Sequence, residues 1–573
     1  MNSMILLPPF LPLLLGAFAA ILLRGKLRNI IMLLTPVIGA ANLYALEPGI
    51  FWSLEFMGYA LEPVRIDKLS LMFGYLFHIA SLIAIIYALH VKDTVQHVSG
   101  LAYAASAVGA VFAGDLLTLF IFWELLALTS VFLIWARRTD RAYSSGIRYL
   151  IIQVLSGVML LAGLLIFAKI NNSLLFNEIG LEHEGLAEIG AWLIFLAFGI
   201  KCAFPFVHNW LTDSYPESTP TGTIFLASFT TKVAVYAFAR GFPGTELLVW
   251  IGVTMACFPI FFAVIENDLR RVLAYSLINQ IGFMIVGIGI GTAVALNGAV
   301  AHAFNDVIFK GLLMMTMGAV LHMTGKINGS ELGGLYKSMP KTTVFCIVGA
   351  ASISAFPLFS GFVSKSMIMS AAVAEGYDVV WLLLLFAAAG VFHHAGIKIP
   401  YFAFFAHDSG IRTTEPPRNM LIAMGLAAAL CILIGSFPAQ TVYALLPWDS
   451  VYQPYDITHV LTQLQLLFFS ALAFVWLNLR HMYPPELPST NLDADWFYRK
   501  LAPAFIKRFA SAVYGMYANT EKLAIASIKQ MIQNSYDSEE EKPKGYFARL
   551  WPTETMVVWV AVLLAVYLLL NYI

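Results

Sequence analysis

Charge is what this sequence has least of. Only 12% of its 573 residues are Asp, Glu, Lys or Arg, and 34 basic side chains balance 34 acidic ones. Without a basic excess the chain does not read as a nucleic-acid binder, and with 60% apolar residues it is neither an ordinary soluble enzyme nor a disordered protein. Cysteine is equally sparse: Cys202, Cys257, Cys346 and Cys431 each stand alone in an apolar segment, without the paired spacing of metal sites or disulfides. They read as packing residues. There is no phosphate-cradling Gly-rich loop, no cysteine cluster, no histidine pair suited to haem and no nucleophile motif. The sequence therefore implies no cofactor, no metal and no catalytic residue of its own. Any energy it uses comes from an ion gradient or from a partner.

What the sequence has instead is length in apolar runs, with a mean hydropathy of +0.78. A bilayer-crossing helix needs roughly 20 mostly apolar residues, so the chain reads as an all-α polytopic membrane protein. Runs between polar or Pro/Gly punctuation place about sixteen transmembrane helices. They lie near 4–23, 29–46, 67–89, 97–113, 115–135, 143–169, 189–211, 220–240, 246–265, 270–290, 293–323, 342–372, 378–405, 418–446, 459–482 and 554–573. The first run lacks a basic leader and is expected to remain as a span. Residues 51–64 read as a short extramembrane hairpin. Lys and Arg gather in the loops after odd-numbered spans, as in Arg24, Arg137, Arg138, Arg270 and Lys326, which predicts an outside N-terminus. From Asp493 to Asn534 charged and apolar residues alternate with helical amphipathicity, predicting one long surface helix. The charged stretch Asp537 to Lys544 reads as a solvated linker before the final anchor.

Against this apolar background six charges lie in mid-span: Glu124, Lys201, Lys232, Lys310, Lys365 and Lys398. Each costs roughly 2.5 to 3.5 kcal/mol to insert at that depth, so together they require a function. His78, His302, Asp306, His393 and His394 accompany them. Five lysines face two evident buried carboxylates, Glu124 and Asp306, so they cannot all be paired. An amine without a counter-ion in a low-dielectric interior gives up its proton more readily, which suits it to proton relay. His302, Asp306 and Lys310 are spaced i, i+4, i+8, close to one helix face and roughly 6 Å apart stepwise; His394 and Lys398 repeat the i, i+4 spacing. Two spans contain breakers in the same tripeptide, Ala203-Phe204-Pro205 and Ala355-Phe356-Pro357. Paired broken helices at Pro205 and Pro357 suggest an internal repeat lining an ion-accessible cavity.

These motifs resemble the antiporter-like membrane subunits shared by respiratory complex I, membrane-bound hydrogenases and Mrp-type cation/proton antiporters, and look closest to the D-type subunit of the Mrp antiporters. The resemblance rests on Phe122-Trp123-Glu124-Leu125, on Pro205 to Pro220 with Lys232 to Arg240, on Arg271 to Gly282 and on Pro357 to Lys365. It implies two inverted five-helix repeats, here 97–241 and 246–410, between N-terminal helices and hairpin (1–96) and C-terminal helices (411–484). A lateral helix and linker (485–552) and an anchor (553–573) follow, a tail that resembles that of the most distal membrane subunit of complex I. The family's fifth-helix Glu pairs with its seventh-helix Lys, which implies Glu124 with Lys201. Lys232 takes the central position, leading through His302 and Lys310 to Lys365. Asp306 stands where many relatives carry a second histidine. The resemblance further implies a proton-translocating subunit of a Na+/proton antiporter in a prokaryotic cell membrane, with other membrane subunits and the lipid bilayer as partners. A module of a redox-driven complex and the membrane half of an inorganic-carbon uptake system are the alternatives. Any sodium path is expected elsewhere in such a complex, because hard cations want more oxygen ligands than Glu124 and Asp306 offer.

Overall fold

Aspartates mark where the spans begin. Asp67, Asp93, Asp115, Asp268 and Asp456 each precede a long helix and accept a first-turn backbone N–H with their carboxylates, satisfying donors that the helix itself leaves orphaned. The computed structural model describes residues 7–488, 491–536 and 553–572. It forms two units, one reaching to Asn491 and one beginning at Leu492.

Among the described residues, 13 helices are long and apolar enough to cross a membrane, and each coincides with one expected span. The three remaining expected spans are a short helix and two broken ones. The short one is the first, Leu11–Leu22: Pro8, Pro9 and Pro12 hold the chain out of helix until its first turn. The broken ones are Leu186–Lys201 followed by Asn209–Ser214, and Pro340–Ile353 followed by Ser360–Ala374. At the two breaks the backbone repeats itself. Ala203 and Phe206 have φ of 62° and 69°, and Ala355 and Leu358 have 58° and 74°. Left-handed backbone costs an L-residue about 1–2 kcal/mol, so four such residues in two matching sets are a retained feature of both halves.

The expected hairpin is present as antiparallel strands Gly49–Phe56 and Tyr59–Ile66, with Phe56 opposite Tyr59. Its two turn residues, Met57 and Gly58, both have positive φ, the turn that matches strand twist. The helices at 222–241 and 269–290 are the most enclosed, whereas those at 25–45, 140–171 and 457–479 turn most of their surface outward. The span at 378–405 departs from the regular helix expected of it, with π-helical turns at Phe392–Ile397 and Tyr401–Phe405. In the second unit the expected surface helix starts with a π turn, Phe497–Leu501, and continues as Ala502–Tyr536. At 1.5 Å per residue that is about 52 Å. The anchor is Thr553–Tyr572. The linker Asp537 to Lys544 lies outside the described residues.

Candidate functional site

The enclosed middle of the first unit contains an ion pair. Lys232 Nζ lies 2.6 Å from Asp306 Oδ2, with both side chains fully buried. Lys232 sits just after an interruption, where Gly222–Ser228 and Thr230–Gly241 meet at Phe229 with φ −112° and ψ −67°. Its ammonium also donates to the Ala227 carbonyl at 3.2 Å. Tyr103 secures the interruption: its hydroxyl accepts the Thr230 N–H at 3.0 Å and lies 2.6 Å from Thr230 Oγ1.

Asp306 stands in the helix Ala293–Thr324, between His302 and Lys310. The one-face spacing of these three is realised, but each is hydrogen-bonded or ion-paired to a neighbouring helix. Lys310 Nζ donates to Ser276 Oγ at 2.8 Å. His302 Nε2 faces Gln280 Oε1 at 3.1 Å and its Nδ1 faces Ser364 Oγ at 2.9 Å. The surrounding amides fix the direction of these bonds. Asn279 donates to the Ala256 carbonyl, Gln280 Nε2 donates to Asn279 Oδ1 at 2.6 Å, and so Gln280 presents an acceptor to His302. Asn305 donates to Ser364 Oγ at 3.0 Å, on the hydroxyl that faces His302 Nδ1. His302 Nε2 therefore donates to Gln280, while its Nδ1 faces a hydroxyl that can donate or accept. A second proton on Nδ1 requires the Ser364 hydroxyl to turn and accept.

Lys365 reaches back over the second break and donates to the Ile353 carbonyl at 3.0 Å, with its Nζ 4.9 Å from the Phe283 ring centroid. Lys201, the last residue before the first break, donates to the Trp123 carbonyl and lies 4.8 Å from that indole. The direct Glu124–Lys201 ion pair implied by the resemblance is not formed. Glu124 is half-buried and packs its Oε1 against Gly157 on the next helix, whereas the Lys201 amine is held at Trp123.

Lys398, between the two π turns, is capped by three acceptors and one carboxylate. It donates to the carbonyls of Ala263 (3.3 Å), Val264 (2.7 Å) and Glu266 (2.7 Å), and pairs with Glu486 Oε1 at 2.8 Å. Burial pushes the Glu486 carboxyl above the usual carboxylate range, against the pull of Lys398. Beside it, Glu266 lies 3.9 Å from Arg271, which is 3.9 Å from Glu217, itself 2.9 Å from Arg141.

The histidines divide. His302 joins the lysines, whereas His78 Nδ1 donates to the Gly74 carbonyl (2.7 Å) and the ring packs on Gly39. His393 is held among aromatics, 5.5 Å from Phe474 and 5.3 Å from Tyr483. His394 is buried in the π turn. The charge arithmetic of the sequence holds with one addition. Lys232 and Lys398 are paired; Lys201, Lys310 and Lys365 are held by neutral oxygens. Sequence reasoning missed Glu486, whose polar surroundings read as linker, and the neutral set Ser276, Gln280 and Ser364. Ser276 and Gln280 were visible as an i, i+4 polar pair in an apolar run.

Residues 113–393 match the family model described as NADH:quinone oxidoreductase/Mrp antiporter, transmembrane. The D-type subunit of a Na(+)/H(+) antiporter from Alkalihalophilus pseudofirmus is 26% identical over 79% of this chain and 98% of its own length. Among solved structures, a chain of the Mrp complex from Dietzia sp. superposes with a TM-score of 0.68 at 19% identity, covering 82% of this chain and 98% of that one. A chain of the membrane-bound sulfane sulfur reductase, an archaeal respiratory membrane complex, gives 0.71 at 22% identity, covering 98% and 99%. Both share the overall fold of this chain. Residues 113–393, a little under half of the chain, thus carry the signature of the NADH:quinone oxidoreductase/Mrp antiporter family of membrane proteins.

Proposed function

We propose that this chain is a proton-translocating subunit of a multisubunit Na+/proton antiporter of Mrp type. One observation carries the reading: five buried lysines lie in the spans, two ion-paired and three held by neutral oxygens. An amine on a carbonyl or hydroxyl can lose or regain its proton without stranding a counter-charge, while the Lys232–Asp306 pair holds the middle. In this reading a change at Glu124 repositions Lys201 through Trp123, and the proton on Lys232 moves by way of His302 and Lys310 to Lys365. The repeats run 97–241 and 246–410, the N-terminus lies outside the cell membrane, and sodium passes through another member of the complex. One charge crossing 100 mV is worth about 2.3 kcal/mol, comparable to rearranging one such pair.

The test is proton flux in vesicles containing the whole assembly. Glu124→Ala and Lys201→Ala are expected to abolish sodium-dependent proton exchange while leaving the complex intact on native gels. Full exchange in either variant sinks the mechanism. A second reading, a module of a redox-driven complex, is favoured by the archaeal respiratory likeness, which extends over 98% of this chain. Mass spectrometry of co-purifying proteins separates the two: membrane subunits alone support the antiporter, and a peripheral redox protein supports the alternative.

A further inference from the structure

The relay leaves one buried lysine without a task. Lys398 stands away from the broken helices, between the π turns Phe392–Ile397 and Tyr401–Phe405, a form of helix frequent at functional sites. Its ammonium reaches the end of the helix Glu246–Ile265, where the last carbonyls have no partner within the helix and the helix dipole is negative. The Ala263, Val264 and Glu266 carbonyls accept from it at 3.3, 2.7 and 2.7 Å. A primary ammonium has three protons, so these bonds use them all.

A fourth oxygen is nevertheless in contact. Glu486 Oε1 lies 2.8 Å from Lys398 Nζ, with both side chains buried, and among the described residues neither Glu486 oxygen receives a hydrogen bond. The carboxylate faces the cation with no proton directed at it. The neighbouring carboxylate is already engaged: Glu266 accepts the Asn267 and Asp268 N–H groups at 3.0 and 3.1 Å and Asn491 Nδ2 at 3.2 Å. Arg271, 3.9 Å from Glu266, keeps 25% of its side chain exposed, so the cluster lies one side chain in from the aqueous face. Three carbonyls and a buried carboxylate around one point outnumber the protons of an ammonium. They suit a spherical cation, which carbonyl oxygens hold in place of its hydration shell.

We propose that the end of the helix Glu246–Ile265 and Glu486 form a binding site for a monovalent metal cation of potassium size, for which the tethered Lys398 ammonium competes. Three of the four oxygens stand at the distance an ammonium takes, wider than the shell a smaller sodium ion draws in. When the ion enters, the ammonium withdraws with its charge, and the buried carboxylate keeps a counter-ion throughout. The site holds a cation and does not conduct one. It is independent of the function proposed above, in which no step passes through Lys398, so failure of either leaves the other standing.

The test is equilibrium binding of radioactive rubidium, a potassium-sized probe, to the whole assembly purified in choline chloride. Lys398→Met is expected to bind one more rubidium ion per chain than the parent at low concentration. The parent should take up that ion more than about tenfold more weakly, because its competitor is tethered beside the site. Adding Glu486→Gln to Lys398→Met is expected to abolish the extra ion. Potassium should displace it at least about tenfold more effectively than sodium; equal displacement overturns the size. Lys398→Gln, whose amide can donate to the same carbonyls, is the second variant should Lys398→Met fail to assemble. Equal binding by parent and variant, or extra binding that survives Glu486→Gln, overturns the site and leaves Lys398 as a cap on a helix end. Failure of both variants to assemble in potassium as in choline overturns it too, because an ion that fits these oxygens would stand in for the ammonium.

Discussion

In the first broken helix Lys201 is the last residue before the gap, whereas in the second Lys365 stands beyond the gap and reaches back across it. The backbones are alike, with an Ala and the residue after Pro both left-handed in each. A broken helix leaves carbonyls without partners, and the two halves supply donors differently. In the first, the Trp210 indole donates to the Ile200 carbonyl at 2.9 Å, and Lys201 turns sideways to Trp123. In the second, Lys365 and Gln463 take the Ile353 and Ser354 carbonyls. The repeat therefore fixes a backbone and a need for donors. Whether a charged or a neutral side chain answers that need is set separately in each half.

The largest effect is expected where the halves meet. Lys232→Ala or Asp306→Ala leaves its partner charged and buried, which costs about 3–5 kcal/mol, seen as a large drop in Tm in detergent together with loss of proton flux. The double variant Lys232→Met/Asp306→Leu is expected to regain most of the stability and none of the flux. A stable single variant would show that the halves are held by packing alone.

A smaller and unequal pair of effects comes from two glycines. At Gly361 an added Cβ would collide with the Ser352 carbonyl oxygen, backbone that cannot yield, so Gly361→Ala should cost about 1–3 kcal/mol by overpacking. At Gly157 the added Cβ would instead collide with Glu124 Oε1, the movable end of a side chain. Gly157→Ala is thus expected to leave Tm nearly unchanged while displacing Glu124 and suppressing exchange. Equal melting shifts in the two variants would erase the contrast. The smallest effect tests the likeness itself. Ala203→Gly and Ala355→Gly each relieve left-handed strain of about 1–2 kcal/mol against a glycine entropy cost of about 0.5–1 kcal/mol. The two should raise stability by similar, small amounts; opposite signs would mean that the breaks are not equivalent.

Much of this is legible in the residues alone. Hydrophobic runs locate the spans, because a bilayer imposes length and apolarity on every segment. The Ala-Phe-Pro echo locates both breaks, because proline removes a donor wherever it falls. Counting lysines against carboxylates predicts that some amines lack a counter-ion, and Lys201, Lys310 and Lys365 do. What escapes is long-range or neutral. Glu486 pairs with Lys398 across 88 positions of chain, and no local pattern announces such a partner. Ser276 and Gln280 carry no charge and cost little to insert, so their i, i+4 spacing is a faint sign beside that of a buried lysine. The π turns around Lys398 arise from tertiary packing, which hydrophobic periodicity cannot express.

The three lysines seated on neutral oxygens have a consequence for selectivity. Each, when it carries its proton, presents a positive charge inside the span with no carboxylate of the described residues within ion-pair distance of its Nζ. A metal cation 6 Å away would meet a repulsion of about 3 kcal/mol at an effective dielectric of 20, more than a hundredfold in occupancy. A proton that arrives when the amine is neutral escapes this barrier, because it is taken up as an N–H bond and becomes the ammonium's own charge. The same residues would thus act as a filter, admitting hydrogen ions along this axis and turning sodium and potassium away from it.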